Sequence, residues 1–560
     1  MTTTPTLVGL VGAVALTVVS VLATPPHWHP WVQFVAVAAA VALIVARRRG
    51  RPLLTREAPA RSLPVEVVDL LTAERQAVGC VEGDRVVTTA VELTAGALVA
   101  TEVGEDHPAD SHAVRVPLTA IADQLDQGGV VLEGIDVVTH GRRAATGPDG
   151  EVYSSLVGPL ALISHRRVHL LLRFDLAGLA LNQAFDTGAA LERVVTTATV
   201  RVRQTLIHHG VPCRVLDAAE LAERYLEAED DPGEGTGLVI RPAADPRRVI
   251  DDLTAIRAAT VTEVHRLRRV KDRSDVVDMV TTVGLTGIPD RASTDRVHDD
   301  TARTCHPLPS ARVLPVPNES LPATITDSLV RRRIAHLDRL APSAHGSGQI
   351  LGATRTGNAS ALQLAGPHLR SVLLAARPVL CRQIAFRAVA AGYRVAVVTD
   401  VPDRWRRLLA IGDESRYRVI DPDASDAGTP VDLVVWDVDA AAALSEGRID
   451  AFAGPGGPDV TPPTVIRVDA DWGVRGSRQT PTTAPPDLVL DGRIDGWISV
   501  EPRGGDAHRV SVVTGPGEEH FTGHIATEAQ TAPAAPAPGP IPADDLTPAG
   551  AEPSATPDRL

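Results

Sequence analysis

The sequence predicts an α/β protein in which two N-terminal transmembrane helices precede cytoplasmic α/β domains, the last of them Rossmann-like. Three observations carry that reading. Two apolar runs near the start are closed by a cluster of arginines. From Ala77 onward strand and helix patterns alternate, as in a layered sheet with helices on its faces. From Gly352 to about Gly515 the strand–helix–strand spacing repeats with the rhythm of a parallel sheet.

The first apolar run is Thr6 to Ala23 and the second Trp31 to Ala46, with Thr24-Pro25-Pro26-His27-Trp28-His29-Pro30 between them. A bilayer core of about 30 Å takes about 20 apolar residues per helix. The first run meets that length once Pro5 and Thr24 sit in the interface. The second is about 24 Å long at ~1.5 Å per residue; it completes a span by borrowing His29 and Pro30 or by snorkelling its arginines. Arg47, Arg48, Arg49, Arg51 and Arg56 all follow it, and positive charge near membrane ends stays cytoplasmic. Both termini are therefore expected on the cytoplasmic side of the inner (plasma) membrane. Trp28 and Trp31 would anchor the short outer loop in the far headgroup layer. A cleaved signal peptide would instead carry a basic start and a small-x-small cleavage site; Met1 to Pro5 holds no positive charge.

At 560 residues the chain has room for this anchor and two or three further domains. Its net charge of −14 offers no broad basic face of the kind nucleic-acid binding needs. Cys80, Cys213, Cys305 and Cys381 lie far apart and form no CxxC, so neither a zinc knuckle nor a redox pair is signalled.

The expected divisions are a transmembrane hairpin with its arginine stop (1–56), a first α/β domain (57–230), a connecting region with further strands and helices (231–345), the Rossmann-like unit (346–520) and a tail (521–560). In the first domain, Ala77–Val81, the turn Glu82-Gly83-Asp84 and Arg85–Leu93 read as a hairpin. Leu118, Ile121, Ala122 and Leu125 mark one apolar helix face. Val130–Val138 and Val168–Phe174 read as strands, the second covered on both faces. A long helix from Gly188 to His209 stops at Gly210, and Asp217 caps a short helix beginning at Ala218. Asp290–Pro322 reads as irregular, broken by prolines, and Gly346-Ser347-Gly348 as a boundary. Beyond it, Val372–Ala376, Arg394–Asp400, Asp432–Asp437 and Thr464–Asp469 are strands, with Pro378 opening a helix and His508–Val513 closing the series. After Phe521 the Ala, Pro, Thr and acidic composition cannot bury a core and predicts disorder.

The residues with most chemical interest are at strand ends. Leu433-Val434-Val435-Trp436-Asp437 has the apolar-strand-then-carboxylate form that holds magnesium in P-loop ATPases. Asp437-Val438-Asp439 and Asp469-Ala470-Asp471 are DxD triplets of the kind that hold a metal on a nucleotide-sugar diphosphate. A phosphate cradle, however, needs glycines whose N–H groups converge, together with a lysine. The turn at Ala376-Arg377-Pro378-Val379-Leu380 has neither, and its proline removes one donor. Strand-end aspartates that cap turns are thus the expected role of Asp400 and Asp437, with no cofactor and no catalytic residue assigned. A membrane-anchored glycosyltransferase-like or nucleotide-binding enzyme using Asp437 and Asp439 is the alternative. His27 and His29 on the outer loop, and His208-His209 at a helix end, are too few or too divergent for a metal site.

The N-terminal hairpin with its arginine stop, followed by AVGCVEGDRVVTTAVEL (Ala77–Leu93), resembles the EccE family of actinobacterial type VII (ESX) secretion. PLTAIADQLDQGGVVLEGIDVVTHG (Pro117–Gly141), LVGPLALISHRRVHLLLRFD (Leu156–Asp175) and RAVAAGYRVAVVTDVPDRW (Arg387–Trp405) extend the likeness over most of residues 1–520. The resemblance implies a non-catalytic subunit of the membrane complex, with EccB, EccC and EccD as partners, the lipid bilayer as its seat and EccC as the ATPase motor. It also implies a cytoplasmic region like a degenerate glycosyltransferase fold.

Overall fold

The computed structural model describes residues 67–523, apart from short stretches and the longer segments 105–113, 176–187, 289–300, 310–322, 439–451, 453–462 and 470–484. The two apolar runs, Trp28, Trp31, Arg47, Arg48, Arg49 and Arg51 lie outside the described residues, as do Asp439, Asp471 and the expected tail beyond Gly523. No helix among the described residues is long and apolar enough to cross a membrane. What is described is a mixed α/β fold built on two sheets.

The hairpin signal produces β2 (Ala77–Glu82) and β3 (Val86–Leu93), with Cys80 opposite Thr89, and β1 (Val67–Leu71) adds to their edge. β4 (Ala100–Val103) then leaves this sheet for the other one. α1 (Leu118–Ala122) buries the apolar face read from its spacing. β5 (Gly134–Arg142) starts four residues later than the run from Val130 suggests. Residues 127–132 fold back on the end of the helix instead, Gln127 N–H donating to the Val130 carbonyl and Leu132 N–H to that of Leu125. After α2 (Pro148–Val157) come β6 (His165–Asp175), α3 (Gly188–His208) and β7 (Cys213–Val215). Gly210, at φ +74°, ends α3 as a C-cap glycine should. α4 (Ala218–Glu229) opens with a reciprocal capping box: Glu220 N–H donates to the Asp217 carboxylate at 2.8 Å and Asp217 N–H to Glu220 at 3.2 Å.

Among the described residues the stretch 231–345 supplies five more strands, all joined to the first sheet. They are β8 (Thr236–Ile240), β9 (Thr260–Arg269), β10 (Val276–Thr286), β11 (Cys305–Pro309) and β12 (Val330–Arg333), with α5 (Pro246–Thr254) between the first two. The sheet runs β1-β2-β3-β6-β5-β9-β10-β8-β11, with β12 on β10 and β7 on β3, and its pairings are antiparallel. β11 corrects the expectation of irregular chain across Asp290–Pro322. Its Pro307 and Pro309 have no N–H to give, which an edge strand tolerates, and among the described residues β11 pairs with β8 alone. One core lies between this sheet and α1 and α3, with Ile135, Val137, Leu170, Leu172 and Phe174 meeting Val195, Val202 and Leu206.

At Gly346-Ser347-Gly348 the chain crosses between the sheets, Ser347 and Gly348 N–H groups donating to the Ile163 and Ser164 carbonyls. The second sheet holds β13 (Gln349–Ala353), β14 (Ala359–Leu362), β15 (Ser371–Ala376), β16 (Val395–Thr399), β17 (Tyr417–Ile420), β18 (Leu433–Asp437), β19 (Thr464–Val468), β20 (Leu488–Gly492), β21 (Trp497–Pro502) and β22 (His508–Val512). Its order is β17-β16-β18-β19-β15-β20-β21-β22-β13-β14-β4. From β17 to β20 neighbours are parallel, as the spacing predicts; from β20 to β4 they are antiparallel. β22 therefore does not continue the parallel series. Only four residues separate β20 from β21, far too few for a parallel crossover of a dozen or more. The order also departs from the dinucleotide-binding arrangement, in which the first strand lies at the centre between the second and fourth; here the first parallel strand, β15, lies between β19 and β20.

α2 belongs to the second core although it connects two strands of the first sheet. Tyr153 and Val157 pack with Phe386, Val389 and Leu362, and α6 (Pro378–Ala390) lies against them. The Tyr153 hydroxyl accepts the Ile350 N–H at 3.0 Å, and Ala145 N–H donates to the Ala390 carbonyl at 2.6 Å. Gly150 is required, because a Cβ there would overlap the Ala145 carbonyl. Asp149, wholly buried, takes both Nη groups of Arg416 at 3.0 and 2.9 Å. Arg416→Ala is expected to cost about 2 kcal/mol, as loss of a charged bidentate bond, read from the urea unfolding midpoint.

Candidate functional site

In open α/β sheets, ligands settle outside the carboxyl ends of parallel strands, where the strand order reverses. Here that place is between β16 and β18: the chain leaves β16 toward β17 on one side, and leaves β18 toward β19 on the other. Asp437 is the last residue of β18 and Thr399 the last of β16, and the two are register partners. The strand-end carboxylate of the Leu433–Asp437 pattern thus lies at this edge.

What it did not find are the groups that occupy this crevice. After β16 the chain turns through Pro402–Arg404 and Arg406–Ile411, two short 3-10 segments. Their turns carry Arg404 and Trp405 back over the strand ends. Arg404 Nη1 donates to Asp437 Oδ1 at 2.7 Å, and Trp405 Nε1 donates to Oδ2 at 2.7 Å. The Thr399 hydroxyl donates to Oδ2 at 3.3 Å. Trp405 is fully buried and Asp437 only 2 % exposed. The carboxylate is therefore a clasp for the segment after β16, with both oxygens engaged. The only prior signal was the spacing of Asp-Arg-Trp (403–405) after Thr399, which names a turn but no partner.

The remaining strand-end residues are placed differently. Asp400 is exposed, and the turn after β16 is capped by Thr399, whose hydroxyl accepts the Val401 N–H at 3.0 Å. That corrects the expectation that Asp400 and Asp437 cap the turns that follow them: a hydroxyl does so for one, and Asp437 reaches across strands. Asp469 follows β19, its N–H donating to the Leu374 carbonyl. Its triplet partner Asp471, like Asp439, lies outside the described residues. The Ala376–Leu380 turn opens α6 with Pro378 in its first turn and no side-chain cap. Among the described residues no group of three His, Cys, Asp or Glu side chains is placed to hold a metal ion.

A second polar cluster is buried in the first sheet. His265 Nε2 faces Glu263 Oε1 at 2.5 Å, and its Nδ1 meets the Thr281 hydroxyl at 2.9 Å. Burial works against the Glu263 carboxylate, but His265, Arg166 and Arg247 outweigh it and hold the group below its ordinary value of 4.5. A carboxyl depressed in the folded state adds stability that is fully present above the unfolded value and is lost as pH falls through the folded one. Glu263→Gln is therefore expected to flatten the fall in stability below about pH 4.5, measured as urea midpoints across that range.

The four cysteines are free and buried. Burial pushes the thiols of Cys80 and Cys213 up to about 12, which removes them as nucleophiles at neutral pH. No family model matches the chain, and no curated protein matches it.

Proposed function

We propose that the chain is a non-catalytic membrane subunit of a type VII (ESX) secretion complex, holding the inner-membrane channel assembly together beside EccB, EccD and the ATPase EccC. The observation that carries the reading is the filled crevice: the carboxylate at the reversal point of the parallel sheet is bound by Arg404, Trp405 and Thr399. The alternative, a glycosyltransferase-like or nucleotide-binding enzyme using Asp437 and Asp439, needs that carboxylate open to a metal. The apolar runs and arginines of residues 6–56 support the membrane placement, and the resemblance of Ala77–Leu93, Pro117–Gly141, Leu156–Asp175 and Arg387–Trp405 to the EccE family supports the partners.

Deleting residues 1–46 is expected to release the protein from the membrane fraction and to abolish its co-purification with EccB, EccC and EccD in mild detergent. Full retention of the deleted chain in the complex would overturn the anchoring role. On the same material, a uridine or adenine nucleotide with Mn²⁺ is expected to leave the thermal unfolding midpoint unchanged. A saturable rise in that midpoint would return the enzyme reading.

A further inference from the structure

A cavity of about 430 Å³ opens where α3 ends and β7 begins, lined by Thr94, Arg203, Ile207, Gly210, Pro212, Cys213 and Arg214. Its two cations are not equivalent. Arg214 donates to Glu92 through Nε at 2.9 Å and Nη2 at 2.6 Å, and also pairs with Glu220, so its charge is matched within the fold. Arg203 has no such match. Its Nε is buried and has no hydrogen-bond partner, and among the described residues no carboxylate pairs with its guanidinium. The nearby thiol cannot serve as counter-ion: Cys213 donates to the Arg203 carbonyl, and burial keeps it protonated.

An arginine charge with no carboxylate beside it in the fold is left open to an anion from solution. Part of the lining is apolar: Ile207, one turn beyond Arg203 on the same helix, is 46 % exposed, among the few large apolar side chains so open among the described residues, and Pro212 also lines the cavity. A lone cation beside an exposed apolar wall is the arrangement that takes an anion with a greasy body, a few placed polar groups fixing the orientation of an otherwise apolar ligand.

We propose that this cavity binds a carboxylate carried on an apolar body, the carboxylate on Arg203 and the body against Ile207 and Pro212. With Nε closed off, the two Nη groups of Arg203 would supply the two-point contact that a guanidinium offers a carboxylate. The carboxylate could come from a free branched-chain acid or from the C-terminal residue of a peptide; both present the same chemistry.

The test uses the full-length chain in lipid nanodiscs and ligand-observed NMR titration. The probes are 4-methylpentanoate, its amide, inorganic phosphate, and the peptide acetyl-Ala-Leu with a free or an amidated C-terminus. Saturable binding of the acid or of the free-terminus peptide is expected, weakened at least tenfold by amidation and by Arg203→Met. Whichever of the two binds more tightly identifies the source. Ile207→Glu, at an exposed position the fold tolerates, supplies an internal carboxylate and is expected to abolish binding even if Arg203→Met folds poorly. Equal binding of acid and amide, tighter binding of phosphate, unchanged binding in a folded Arg203→Met, or no saturable binding by any probe would each overturn the proposal.

Discussion

Arg387→Ala is expected to lower stability by about 3–5 kcal/mol, the usual consequence of breaking a buried ion pair from one side. Arg387 and Glu518 are each 1 % exposed. Nε donates to Glu518 Oε1 at 2.6 Å and Nη2 to Oε2 at 3.0 Å, a two-point pair. The guanidinium also donates to the carbonyls of Ile350 at 3.0 Å and Leu351 at 2.9 Å, and to that of Val513. One side chain on α6 therefore ties β13, the end of β22 and α7 (Glu518–Thr522) to the second core. Without it the carboxylate keeps only the Gln383 amide at 3.1 Å and the Gly515 N–H at 2.9 Å, neutral donors that do not offset its charge. Arg387→Lys is expected to recover less than half of the loss, because an ammonium is a point charge and cannot fork. Urea denaturation followed by tryptophan fluorescence measures both. A loss below about 1 kcal/mol would mean that water replaces the guanidinium, and the pair would then behave as a surface one.

Asp437→Ala is expected to cost about 3 kcal/mol, since Trp405 Nε1 loses its acceptor while fully buried and Arg404 loses its counter-charge. Asp437→Asn keeps one acceptor oxygen and should recover part of that loss. The distinguishing readout is spectroscopic. Trp405 is one of six tryptophans, and freeing its indole from the carboxylate should shift and broaden the emission of the folded protein before any unfolding. An Asp437→Ala protein of full stability with unaltered emission would show that the carboxylate does not clamp this segment. It would also reopen the crevice as a ligand site.

Local pattern carried the elements well and their partners poorly. Arg394–Asp400 and Asp432–Asp437 read correctly as strands of a parallel sheet, and the structure buries both, in keeping with their apolar character. Asp217 and Gly210 marked two helix ends by chemistry that acts over three or four residues. The exchange of β4 into the second sheet left no trace in Ala100–Val103, since four residues cannot state which of two sheets they join. The parallel strand order was illegible for the same reason. In the candidate site, the carboxylate and its place at the strand end were legible. The turn chemistry that brings Arg404 and Trp405 onto it depends on two 3-10 segments whose sequence, Pro402–Ile411, has no helical periodicity long enough to read.

The exchange of β4 has a consequence for the order in which the protein is made. β4 ends at Val103, and its partner β14 does not begin until Ala359, about 250 residues later on the ribosome, or roughly 12–50 s at ordinary elongation rates. Tyr153 likewise waits for Ile350 before its hydroxyl receives an N–H. The first half of the chain thus emerges with a strand, β4, and a helix, α2, whose partners are not yet made. If residues 6–46 are threaded into a bilayer during synthesis, the growing chain would be tethered there throughout that interval. Tethering would keep such exposed surfaces apart in space, which slows the encounters between unfinished chains that lead to aggregation.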